Sequence, residues 1–159
     1  MTSPRNGPQV LARRTLLALA VLGVAACGTR TPEGEHDDEE AGPMELTSGR
    51  EIDDVVVELW KDGGEAALSG IVGVEFDDLL VFPEGTPAER VNEAAGGELL
   101  GGKYYQSSTQ LFLFRAGGSA VLAAMISSDV FEHEIQNATF GPEVRIVAHG
   151  DQQLVTLES

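Results

Sequence analysis

The chain has 159 residues, with 26 acidic side chains against 10 basic ones, three histidines and one cysteine. That length holds a single domain and a tether, one cysteine excludes an internal disulfide, and a net charge of −16 excludes the broad basic face that nucleic acid requires. The same acidity disfavours attachment to anionic lipid through protein charge.

Residues 1–10 are polar and contain Gly and Pro, Leu11-Ala12-Arg13-Arg14 adds positive charge, and 15–26 is apolar throughout except for Thr15. A run of about a dozen residues is too short to cross roughly 30 Å of hydrocarbon, and it ends in small residues, so 1–26 reads as a signal peptide. It closes on Val24-Ala25-Ala26-Cys27, which resembles the lipobox of bacterial lipoproteins. The resemblance implies that the Cys27 sulfur receives a diacylglyceryl group, that a peptidase cuts just before it, and that the new N-terminus is held at the outer face of the cell membrane. Two or three acyl chains hold a protein stably where one does not. Arg13-Arg14-Thr15-Leu16-Leu17 also resembles a twin-arginine export signal, so the general secretory and twin-arginine routes are both open. All 26 acidic residues follow Cys27, but Arg5, Arg13 and Arg14 leave with the leader; seven basic residues against 26 acidic ones give the mature chain a net charge of −19.

Residues 27–49 are rich in Gly, Pro and Thr and carry the acidic block 33–40, with His36 inside it. Like charges repel and apolar side chains are scarce, so this stretch reads as a disordered tether that lifts a domain off the membrane. His36 beside Asp37, Asp38, Glu39 and Glu40 makes no selective cation site, because a run without a fold cannot converge its ligands.

A single α+β domain is expected over 50–159. Ser48-Gly49-Arg50-Glu51 has the form of a capping box, and Ile52, Val55, Val56, Leu59 and Trp60 recur at helical spacing, which predicts a helix over 49–61 stopped by Asp62-Gly63-Gly64. Trp60 reads as the anchor of that helix in the core. Residues 65–73 are short, punctuated by Gly and read as irregular. A strand follows over 76–82, then a turn at Pro83-Glu84-Gly85, then a helix over 87–95 with Thr86 as its cap and Gly96-Gly97 as its stop. The order Phe76-Asp77, three apolar residues at 79–81, Phe82, Pro83, Thr86 and Glu89 resembles a stretch seen in a family of small exported bacterial lipoproteins with no settled activity. In that family the aromatic is usually Trp and the turn usually contains Tyr, where this chain has Phe76 and Glu84-Gly85. The resemblance implies a fold and no chemistry.

Tyr104 and Tyr105 lie in a Gly-rich connection, and neighbours on an extended chain point opposite ways, so one should pack and one should face solvent. Strands over 110–115 and 119–126 flank Ala116-Gly117-Gly118, a pair of glycines suited to a tight hairpin, and a second hairpin is expected from 143–148 and 152–157 around His149-Gly150-Asp151. The expected architecture is an antiparallel sheet of about five strands with two helices packed on one face.

Few residues carry chemistry. Glu132-His133-Glu134 lacks the second histidine that a metalloprotease helix needs four residues on, because position 137 is Asn137. A zinc site would need His149 or distant carboxylates to converge on His133. Asp77 and Asp78 are adjacent on a strand and therefore face opposite sides, which is wrong for an acid and base acting on one bond. No nucleophile elbow, phosphate loop or dinucleotide fingerprint is present, and a Ser-His-Asp set would have to recruit His133 or His149 without local support. Neither a cofactor nor a catalytic or metal-binding residue is assigned from the sequence; Cys27 is the one modified position. The expected role is a lipid-anchored, extracytoplasmic, non-catalytic module that binds a protein or envelope component. The alternatives are a structural or assembly factor of the cell envelope and an enzyme accessory domain.

Overall fold

The computed structural model describes residues 44–159; Cys27, the lipobox, His36 and the acidic block lie outside the described residues. In chain order the elements are β1 (Thr47–Ser48), α1 (Arg50–Asp62), β2 (Gly64–Ala67), α2 (Ser69–Val72), β3 (Asp78–Phe82), α3 (Ala88–Ala95), β4 (Thr109–Ala116), β5 (Ser119–Ser127), a 3-10 turn (His133–Ile135), β6 (Thr139–Phe140), β7 (Arg145–Ala148) and β8 (Thr156–Glu158). The class is α+β. A five-stranded sheet runs β1-β5-β4-β3-β6, and a second, three-stranded sheet runs β2-β7-β8.

The β4–β5 hairpin is the centre of the fold. Gly117 and Gly118 at its turn have φ of 59° and 84°, the left-handed conformation a two-residue hairpin demands and glycine adopts without penalty. Within β4, Leu111, Phe112, Leu113 and Phe114 are all fully buried. Leu111 and Leu113 join Phe82, Val91, Tyr105 and Ala123 in one core, whereas Phe112 and Phe114 join Ile52, Val56, Leu79, Val81, Ala124 and Ile126 in another. A strand covered on both faces loses the alternation of a half-buried one and becomes a continuous apolar run.

The two main helices therefore serve opposite faces, not one. Ile52 and Val56 of α1 pack into the Phe112/Phe114 core together with Ile146 and Leu157 of the second sheet, while Val91 of α3 packs into the Leu111/Leu113 core. Two further expectations are corrected. The second hairpin does form, with Arg145 opposite Glu158 and Val147 opposite Thr156, but it joins β2 in a separate sheet. And β1 runs parallel to β5, pairing Thr47 with Ala124 and Ser48 with Met125, so the large sheet is not wholly antiparallel.

Folded structure begins before residue 50. Met44 and Leu46 pack against the Leu111/Leu113 core, and Thr47 donates from its hydroxyl to the Ala123 carbonyl at 3.0 Å. Alternating apolar residues just ahead of the helix are enough to dock this stretch on the sheet, although the composition of 27–49 as a whole conceals them.

Neither predicted helix cap forms. Gly49 is the N-cap of α1, with its N–H donating to the Met125 carbonyl at 3.0 Å, and Ser48 is committed to β1. A side chain at 49 would overlap Ile126 Cδ1 and press on the Met125 carbonyl, so close approach of strand and helix fixes glycine here. At α3 the N-cap is Pro87, and the Thr86 hydroxyl donates backwards to the Pro83 carbonyl at 2.7 Å. Thr86 thus closes the turn after β3 rather than the helix after it. The C-terminal stops hold as read: Gly96, with φ 75°, lets its N–H reach the Glu93 carbonyl and the Gly97 N–H reach that of Asn92, both at 3.2 Å.

Candidate functional site

The residues whose side chains could carry chemistry are dispersed. Asp77 and Asp78 do point apart, and each has a structural partner: Asp77 Oδ2 accepts the Gly117 N–H at 2.7 Å, tying the hairpin turn to the start of β3, and Asp78 receives Arg115 in a two-pronged ion pair at 2.7 and 2.8 Å. That hydrogen bond to Asp78 is the main reason the Arg115 guanidinium is held above its usual pKa, with partial burial pulling the other way and the Asp78 charge adding to the rise.

His133 sits exposed in the 3-10 turn, its Nδ1 3.3 Å from the Gln136 amide nitrogen, and His149 sits exposed in the β7–β8 connection. Among the described residues no three His, Cys, Asp or Glu side chains are grouped as metal ligands would be. Tyr105 is buried and bonded through its hydroxyl to Thr109, whereas Tyr104 is exposed beneath the Lys103 ammonium, so the pair splits as the geometry of an extended chain requires. Trp60 is only partly buried, at the margin of the core that α1 enters.

Of several clefts on the described domain, including one of about 430 Å³ beside Phe76 and Asp77 and one of about 360 Å³ beside Arg90 and Arg115, two bear on function. The first is a cleft of about 410 Å³ where β1, β5 and the start of α1 meet. Ile52, Val72, Leu122 and Ala124 give it an apolar floor, and Thr47 and Arg50 stand at its polar rim. It is built in part by β1 and the start of α1, the first elements of the described residues. The second is a cleft of about 240 Å³ between the Pro83-Glu84 turn, the start of β4, Ser128 and Gln136. Gln110 forms part of its wall. In the sequence Gln110 is a polar residue at the head of an apolar strand and resembles an ordinary exposed strand start; in the fold it is 1 % exposed and neither amide atom has a protein partner among the described residues.

No helix among the described residues is long and apolar enough to cross a membrane. No protein-family model, curated protein or solved structure matches the chain.

Proposed function

We propose that the protein is a lipid-anchored module displayed outside the cytoplasm, held by Cys27 and acting by binding a protein or envelope component rather than by catalysis. The observation that carries the anchoring is Val24-Ala25-Ala26-Cys27, placed after Arg13-Arg14 and a short apolar run. Support for binding comes from the cleft at the β1–α1 junction. An apolar floor with a polar rim is what a recognition surface offers, since burial of the floor supplies affinity and the rim fixes orientation. The acidic segment ahead of it gives reach from the membrane, and its charge favours a partner that is neutral or basic over an anionic one.

Crosslinking in intact cells followed by affinity capture of the lipidated protein tests this reading. One dominant partner should be recovered, and its yield should fall when Leu122→Asp places a charge on the floor of the cleft. Undiminished recovery with that variant removes the cleft from the proposal, and recovery of no partner from a surface-exposed protein overturns the binding role.

A further inference from the structure

Gln110 breaks the pattern of the strand it belongs to. It lies on the same face as Phe112 and Phe114, next to a run of four buried apolar residues, and both of its amide atoms are enclosed without a hydrogen-bond partner among the described residues. A buried amide left unpaired costs about 1–3 kcal/mol, so a fold that retains one calls for a reason.

The surroundings narrow that reason. Of the hydroxyls in the adjoining cleft, that of Ser128 donates to the Ser108 carbonyl at 3.0 Å and Thr109 Oγ1 is bonded to Tyr105 and to Ser107, whereas that of Ser108 is on an exposed residue. The buried hydrogen-bonding capacity left over is that of the Gln110 carboxamide, an acceptor and a donor side by side, whereas Glu84, Ser108 and the partly exposed Gln136 in the same wall reach solvent. The group that complements such an edge is another amide, whose carbonyl accepts from Nε2 while its N–H donates to Oε1. Glu84 in the cleft wall and the net negative charge of the chain disfavour an anion there.

We propose that this cleft binds a small uncharged ligand through an amide group, with Gln110 as the residue that recognises it. The amide of Gln110 is sealed from solvent, so the wall beside it has to part. Gln136 is the element suited to yield, since its partly exposed side chain is held only by the 3.3 Å contact with the exposed His133. The proposal is independent of Cys27 and of the cleft at the β1–α1 junction.

The test is a titration of the ¹⁵N-labelled full chain followed by nuclear magnetic resonance. The probes are N-acetylglucosamine and N-acetylalaninamide, which carry an amide on a sugar and on a peptide unit, with glucose as the control that lacks it. At least one amide probe should shift the Gln110 side-chain NH₂ signals saturably while glucose does not, and the responding probe shows which carrier fits. Gln110→Met should bind that probe about tenfold more weakly or not at all, a loss of about 1.4 kcal/mol or more. Should Gln110→Met not fold, Gln136→Trp, which fills the mouth of the cleft from a partly exposed position, should abolish the shifts instead. Absence of saturable shifts with both amide probes, or binding undiminished in these variants, overturns the proposal and leaves water as the occupant of the cleft.

Discussion

Asp78 and Arg115 stand directly opposite each other on β3 and β4 and are joined by two hydrogen bonds, Nε to Oδ1 at 2.7 Å and Nη2 to Oδ2 at 2.8 Å. Arg115 is also where the β4–β5 register shifts, so this pair clamps the sheet at that irregularity. With each side chain about a quarter exposed, solvent screening keeps its worth below that of a buried pair. Asp78→Ala should cost about 1–2 kcal/mol in denaturant unfolding, and Asp78→Ala in an Arg115→Ala background should cost less than in the wild type. The pH dependence follows from the raised pKa of Arg115: its contribution is complete below the usual arginine value and is lost only as pH rises through the higher folded value. The difference in stability caused by Arg115→Ala should therefore stay constant from neutral pH until strongly alkaline solution.

Gln110→Met keeps the length of the side chain and removes the unpaired amide. It should raise stability by about 1–3 kcal/mol, the penalty for burying a polar group without partners, read as a higher midpoint of denaturant unfolding with an unchanged slope. A decrease would mean that the amide finds partners in solution.

Thr86→Ala removes the hydroxyl that closes the turn after β3 on the Pro83 carbonyl. A loss of about 1 kcal/mol is expected, and Thr86→Ser should restore most of it. If Thr86 capped α3 instead, hydrogen exchange in Thr86→Ala would speed up chiefly at the first amides of that helix. Faster exchange should appear in the 83–86 turn.

Gly150 adopts φ 74°, and a Cβ there would meet the Gly63 backbone nitrogen at 2.9 Å, with Asp62 and Gly63 main-chain atoms around it. Backbone cannot step aside as a side chain can, so Gly150→Ala should cost more than the roughly 1–2 kcal/mol of a left-handed alanine alone. Gly117→Ala has φ 59° and open space, so it should cost no more than that conformational term. Equal thermal shifts for the two variants would show that the contact between the end of α1 and the β7–β8 connection is loose.

Much of this fold is legible in local sequence. Ile52 and Val56 at helical spacing give α1 to within one residue at each end, and Gly117-Gly118 gives the central hairpin. Leu111-Phe112-Leu113-Phe114 also carries a signal against helices on one face alone: four apolar residues in succession require cover on both sides of the sheet. β2 left no such trace. Gly64-Glu65-Ala66-Ala67 has no residue that favours strands, and it is extended because it pairs with β7, Gly64 meeting Ala148 far along the chain. The caps misled for a related reason. Ser48 and Thr86 have the right identity and spacing, but strand pairing claims the first and the Pro83 carbonyl the second. Gln110 is the residue least readable in advance, since Ser128 and Gln136, which share its cleft, come later in the chain, beyond the β4–β5 hairpin.

The central claim is that Cys27 holds this domain at the outer face of the membrane, and fractionation of cells expressing wild type and Cys27→Ser tests it most directly. Wild type should sediment with membranes and be released by detergent but not by high salt, whereas Cys27→Ser should be recovered in the soluble extracytoplasmic fraction. An exported Cys27→Ser protein that still sediments with membranes would contradict the account.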